Sequence, residues 1–134
     1  MAASVIKANV ASWSSKLAEL EKAPGPHYIV FTGYDDKGAM WCPDCIRAVP
    51  AVLKAAAAAP GGTLLEVDVG QRSDWRGNAA HPFRTAPALK LTGIPTLLQW
   101  GNGAAVKRLG PELEACGSPA EVEALLAKSG FFAH

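Results

Sequence analysis

Trp41-Cys42-Pro43-Asp44-Cys45 sets two thiols two residues apart at the head of a stretch that reads as a helix, an arrangement suited to thiol–disulfide exchange. Pro43 fits the first helical position, where its missing N–H would have had no partner, and this makes Cys42 the helix N-cap. There the unpaired backbone N–H groups and the positive end of the helix dipole favour the thiolate, which is the nucleophilic form. Cys45 lies one turn further in, placed to attack a mixed disulfide formed at Cys42. The same spacing is also half of a zinc site. Such a site needs about two more ligands, and the chain offers only Cys116, His27, His81 and His134, with no second close pair. The expectation is a redox pair without bound metal, Cys42 as nucleophile and Cys45 as resolving thiol; a zinc half-site and an inert pair remain the alternatives.

The neighbouring residues shape this chemistry. Asp44 has two opposed effects: a carboxylate suits the first helical turn, yet its charge near Cys42 works against a thiolate. A moderate thiol pKa is expected. Asp44, or water, is also the candidate acceptor for the Cys45 proton; the plainer reading is a solvated acid. Trp41 is expected to screen the pair from solvent. Trp75 is the single aromatic in the polar stretch 70–82 and is the candidate for a substrate-facing surface, with folding back onto the core as its alternative. Cys116 reads as a free buried thiol, and His27 and His81, both beside prolines, as surface residues. Cys42 and Arg47 stand at the wrong spacing for a phosphatase loop.

The elements that must hold these residues follow from pattern and punctuation. Trp13, Leu17 and Leu20 recur at helical spacing between Ser12 and Lys22, and Ala23-Pro24-Gly25-Pro26 stops them. Tyr28 to Thr32 reads as a buried strand ending at Gly33, followed by a polar loop from Tyr34 to Met40. Ile46, Val49, Val52, Leu53 and Ala56 give the next helix an apolar face, with Pro50 expected to kink it and Pro60-Gly61-Gly62 to end it. Thr63 to Val69 is the next strand, so strand, helix and strand form a parallel crossover unit. Thr96 to Trp100 and Ala105 to Leu109 flank Gly101-Asn102-Gly103, a hairpin signal. Ser118-Pro119-Ala120-Glu121 opens a last helix as a capping box. The implied order is roughly β-α-β-α-β-α-β-β-α.

With 134 residues, 49% of them hydrophobic and 19% charged, the chain is expected to form one domain over residues 1–134. A net charge of +1 suggests neither nucleic acid nor an acidic membrane surface as partner. No segment approaches the roughly 18 apolar residues of a membrane span, and Met1 to Leu20 lacks a signal-like apolar stretch. A cytoplasmic location is therefore expected, and three cysteines fit a reducing compartment better than a secreted disulfide framework.

That element order, with a CxxC after the second strand, resembles the thioredoxin fold, an α/β architecture with a central mixed β-sheet flanked by helices. Pro50 falls eight residues after Cys42, where thioredoxins kink this helix, and Gly93-Ile94-Pro95-Thr96 resembles their cis-proline segment. More specifically, Trp41 to Cys45, preceded by Phe31-Thr32-Gly33 and a lengthened loop, is similar to the thioredoxin domain-containing protein 17 type. Trp75 and Pro82-Phe83-Arg84 match that group's Trp and Phe-Arg stretch. The similarity covers roughly Tyr28 to Trp100.

The resemblance implies a protein-disulfide reductase with a narrower substrate set than thioredoxin. Its only redox group would be the Cys42–Cys45 disulfide, with electrons from NADPH through thioredoxin reductase. Pro95, with Trp41, Pro43 and Asp44, would shape the site, and Ile94 would meet an extended substrate peptide. Thioredoxins carry a buried acid in the strand before the CxxC; Tyr28 to Thr32 holds none. Partners would be thioredoxin reductase and disulfide-bearing proteins or small disulfides, the protein itself acting as a monomer. Leu109 to Glu121 lacks the glutathione-binding Gly-Gly and acid of a glutaredoxin, and an isomerase would need a secretory signal. A non-catalytic redox sensor of the same fold is the rival from another class.

Overall fold

The structure, a computed structural model, describes residues 4–132. Five strands, β1 (Ser4–Asn9), β2 (His27–Thr32), β3 (Thr63–Asp68), β4 (Thr96–Gly101) and β5 (Ala104–Leu109), make one sheet in the order β1-β3-β2-β4-β5. β1 and β2 run parallel to β3, whereas β4 is antiparallel to β2 and β5 to β4. The helices are α1 (Trp13–Lys22), α2 (Pro43–Ala58) and α6 (Pro119–Ser129), with single turns α3 (Arg72–Trp75), α4 (Pro82–Thr85) and α5 (Pro111–Glu114). This is the mixed sheet flanked by helices that the sequence implied.

β2 lies inside the sheet because none of its apolar run can face water. Tyr28, Ile29, Val30, Phe31 and Thr32 are all fully buried, as expected for a strand covered on both faces. The register sets Tyr28, Val30 and Thr32 beside Leu64, Glu66 and Asp68, so these six side chains share a face. On it Tyr28 packs on Phe131 and Phe132, with ring centroids 6.1 and 4.7 Å away. On the other face Phe31 meets Trp13 of α1 at 5.8 Å and Phe83 of α4 at 5.4 Å. The chain therefore leaves the C-terminal end of β2 already fixed from both sides, immediately before the loop to the thiols.

Local chemistry explains most boundaries. Asn9 and Ser12 exchange backbone-to-side-chain bonds of 2.8 and 3.0 Å, turning β1 into α1. Asn102 and Gly103 both adopt positive φ, +54° and +75°, the tight hairpin geometry their residue types favour. Ser118 Oγ accepts from the Glu121 amide at 3.2 Å, and Gly130 closes α6 in the left-handed region. Pro50 lies inside α2, which continues through it to Ala58.

The sequence reading differs from the structure in three places. β1 was implied without residues, because an edge strand with Val5 half-exposed and polar Lys7 and Asn9 carries little apolar signal. The stretch 70–82 is not an open polar loop: it holds α3 and the start of α4, and turns Trp75 and His81 inward. The single turn α5 went unassigned. Of the aromatic cluster, Phe31 bears most directly on the site: Phe31→Ala should lower the unfolding free energy by about 3–5 kcal/mol, read by urea denaturation, and a loss below 1 kcal/mol would show that Trp13 and Phe83 do not depend on it.

Candidate active site

Nine residues, Gly33 to Trp41, carry the chain from the end of β2 to Cys42, and they are folded back by their own polar groups. Asp35 Oδ1 accepts from the amides of Lys37 and Ala39 at 2.9 and 3.0 Å, and Tyr34 and Met40 form a β-bridge. The loop closes on Gly33. Its carbonyl accepts the Trp41 amide at 3.3 Å, and a Cβ there would stand 2.5 Å from the Trp41 indole, so only glycine lets the ring lie down. The indole Nε1 then donates to Gly70 O at 2.9 Å. Trp41 is thus held on two sides, and Cys42 follows it directly.

Cys42 occupies the N-cap of α2 in extended geometry, with Pro43 at the first helical position and its own carbonyl accepting Ile46 N at 3.0 Å. Both thiols are free; Cys42 is half-buried and Cys45 fully buried. The Cys45 thiol donates a hydrogen bond to Cys42, and this, the largest influence on Cys42, brings its pKa down from 9.0 to about 6. Partial burial opposes the shift, the amides of Cys45 and Asp44 support it, and the Asp44 carboxylate resists it. The same bond, together with burial, drives the Cys45 thiol far above its ordinary range, against smaller favourable contacts from the Thr32 hydroxyl and the Gly33 amide. One sulfur is therefore a thiolate at neutral pH and the other a thiol that cannot ionise unaided. Cys42 Sγ also lies 3.8 Å from Ile94 O, a bond open only to the protonated thiol.

The walls are built from three further elements. Asp44 forms an ion pair with Arg47, whose Nε donates to Cys116 O at 2.7 Å, tying α2 to the stretch before α6. Glu114 of α5 packs against Gly93, where a Cβ would stand 2.9 Å from Oε1. Burial, and secondarily the Asp44 charge, raise the Glu114 pKa. The Ile94–Pro95 bond is cis, as the sequence suggested. Between these walls lies a groove of about 350 Å³ bordered by Trp41, Cys42, Asp44, Arg72, Arg76 and Ile94, among others. Larger hollows of about 460 to 580 Å³ elsewhere border no thiol.

Several residues sit differently from their sequence reading. Trp75 combines both of its sequence readings: it borders the groove together with Cys42, yet it is only 3% exposed, with the Arg84 guanidinium 3.8 Å over its ring and His81 at its edge, 4.8 Å away. The helical turn α3 folds it inward and Arg84 Nη2 holds its carbonyl at 3.2 Å, so it forms a fixed part of the groove wall. Ile94 presents its carbonyl to Cys42, while its side chain is buried. His81 is a buried structural residue, bonding Val69 O at 2.8 Å and accepting the Phe83 amide at 3.1 Å. His27 is half-buried with its ring on Ala23 O, and His134 lies outside the described residues. Cys116 is buried, its thiol donating to Glu112 O. Among the described residues no three His, Cys, Asp or Glu side chains form a group able to hold a metal ion.

Two features were missed. Glu66, the lone acid in an apolar strand, is buried beside Val30 and accepts the Tyr34 hydroxyl. Thr32, the polar end of an apolar run, is fully buried against Cys45. Each stood out in sequence as a polar residue in a buried pattern.

A half-buried thiolate supported by a buried thiol, at the head of a helix and beside a cis-proline loop, on this mixed sheet, defines a thioredoxin-fold redox protein of the thiol–disulfide oxidoreductase class. Comparison with known proteins agrees. A mutant thioredoxin from Halobacterium salinarum NRC-1 superimposes with a TM-score of 0.53 over 100% of this chain and 96% of its own, at 14% identity, a likeness of fold. The thioredoxin-like protein Clot of Arabidopsis thaliana is 35% identical over 111 residues, covering 78% of this chain and 82% of its own. The Clot protein of Oryza sativa subsp. japonica is 46% identical over 77 residues, 54% of this chain; that match spans about half, 55%, of the rice protein. The thioredoxin domain of the thioredoxin domain-containing protein 17-like family matches residues 7–127, and the chain belongs to that family.

The Cys42 ionisation fixes a pH dependence. Because its pKa lies at about 6, attack on a disulfide should plateau above that pH and fall about tenfold per unit below it, as the sulfur becomes protonated. Asp44→Asn removes a like charge and should move the midpoint lower still. Alkylation rates followed from pH 4 to 9 test both, and a midpoint unchanged or raised in the variant would count against the Asp44 assignment.

Proposed function

We propose that the protein is a protein-disulfide reductase. The observation that carries this reading is the inequality of its two thiols: a half-exposed sulfur with its pKa near 6 and a buried one held protonated beside it. The Cys42 thiolate attacks a substrate disulfide, forming a Cys42–substrate mixed disulfide and releasing the first substrate thiol. Cys45 then gives up its proton and attacks Cys42 Sγ, releasing the second substrate thiol and leaving Cys42–Cys45 oxidised. Electrons returning the dithiol come from NADPH through thioredoxin reductase, with no metal or other cofactor, and the protein works as a cytoplasmic monomer. A thiolate of pKa near the ambient pH suits the task, since much lower values weaken its nucleophilicity.

Substrate enters along the groove beside Cys42. Ile94 O, which bonds the sulfur only when it is protonated, becomes a free acceptor for a substrate amide once Cys42 is charged. The Trp41 ring closes one side. Arg72 and Arg76 border the groove, as do Asp44 and Glu114, so entering peptides meet charges of both signs. These fixed walls favour a narrower substrate set than a flat surface.

The reading separates from a redox-sensing module by turnover. Cys42→Ser should abolish attack, while Cys45→Ser should attack and then stall as a covalent, reductant-sensitive adduct visible on non-reducing gels. The intact protein should oxidise NADPH in the presence of thioredoxin reductase and a disulfide substrate. Adducts through Cys45 in Cys42→Ser would reverse the thiol roles, and a wild-type protein that changes partner affinity without catalytic reduction would be the sensor.

A further inference from the structure

The hydroxyl of Thr32 is fully buried and its Oγ1 bonds no partner in the resting dithiol form. Buried polar groups without partners are uncommon and call for an explanation. Its position supplies one. Thr32 ends β2, on the face shared with Tyr28 and Val30, and the group it lies against is the sulfur of Cys45 in the first turn of α2. While Cys45 is a thiol donating its proton to Cys42, it offers the Thr32 hydroxyl little, because a thiol sulfur is a weak acceptor. A thiolate is a strong one.

We propose that Thr32 is a catalytic residue of the resolving step, donating its O–H to the Cys45 thiolate that forms when the mixed disulfide is broken. The reading rests on the reductase assignment of Cys42 and Cys45. In the mixed disulfide the Cys42 sulfur is bonded to substrate and no longer accepts the Cys45 proton as a thiolate. Cys45–SH then gives up its proton toward the departing substrate sulfur; the thiolate so formed attacks Cys42 Sγ, the Sγ–substrate bond breaks, and the substrate leaves as a thiol carrying that proton. Atoms and electrons balance as mixed disulfide plus thiol giving protein disulfide plus free thiol, with no outside reductant. The charge appears briefly on a sulfur sealed from solvent. Thr32 Oγ1 and the adjacent Gly33 amide are the donors placed there in advance, so they need no reorganisation as the charge develops. An unpartnered hydroxyl in the dithiol form is what such a donor looks like between turnovers.

Thr32→Val keeps the shape and β-branching and removes the donor. With a peptide disulfide as probe and rapid acid quench, formation of the Cys42 mixed disulfide should proceed at the wild-type rate. Its resolution should slow about 10- to 100-fold, the range for one hydrogen bond to a charged group. Thr32→Ser, which restores the hydroxyl, should recover most of the rate. Thermal unfolding of the dithiol form should be unchanged or improved by Thr32→Val, because the lost hydroxyl had no partner. Resolution at the wild-type rate in Thr32→Val would overturn the proposal, as would an equal slowing of formation and resolution together with a lowered Tm, the mark of a structural role. A Cys45→Ser protein that forms no Cys42 adduct would instead remove the reductase reading itself.

Discussion

The hydrogen bond from Cys45 to Cys42 is the interaction on which the site depends. Two thiols at this spacing in water would be nearly equivalent; here one is half-open at a helix N-terminus and the other is buried beneath it. Burial forbids charge on Cys45, so the pair can hold one negative charge only on Cys42, and the Cys45 proton then stabilises it. The helix amides add to this effect and Asp44 subtracts from it. The ion pair between Asp44 and Arg47 sits within the same turn, keeping a cation next to the acid that opposes the thiolate.

The fold keeps the two sulfurs in that relation. A strand buried on both faces fixes Thr32 and Gly33, and Gly33 admits the Trp41 ring, which is pinned to Gly70 across the end of the sheet. Trp41 in turn fixes Cys42 at the mouth of α2. From the opposite side the Ile94 carbonyl and the Glu114–Gly93 contact close the groove. Trp75 contributes a largely buried part of the same wall, under Arg84.

How far this was legible in the sequence depended on whether a residue announces itself by pattern or by partner. The CxxC, Pro43, the crossover unit and the hairpin were readable because each rests on local chemistry: cap geometry, alternation and positive-φ turn residues. His81 was misplaced, and the burial of Trp75 stood only as an alternative, because a polar stretch reads as loop and the partners that draw them inward, the Val69 carbonyl and Arg84, lie several residues away. β1 was faint because its strand pairs only with β3 and exposes Val5. Thr32 and Glu66 were visible as polar residues within buried runs, but their facing groups, Cys45 and Tyr34, come together only through the register of β2 and β3 and the fold of the intervening loop.

The central claim is that Cys42 owes its low pKa chiefly to the Cys45 thiol rather than to the helix end alone. Cys45→Ala removes the donor and leaves the helix amides and Asp44 in place. Thiolate absorbance in the ultraviolet, titrated from pH 4 to 10, measures the outcome directly, with Cys116 replaced by Ser so that one sulfur titrates. The Cys42 midpoint should rise from about 6 well toward its ordinary value of 9.0. A midpoint that stays near 6 would show that the helix terminus alone makes the thiolate, and that the pairing of the two sulfurs is not what activates the site.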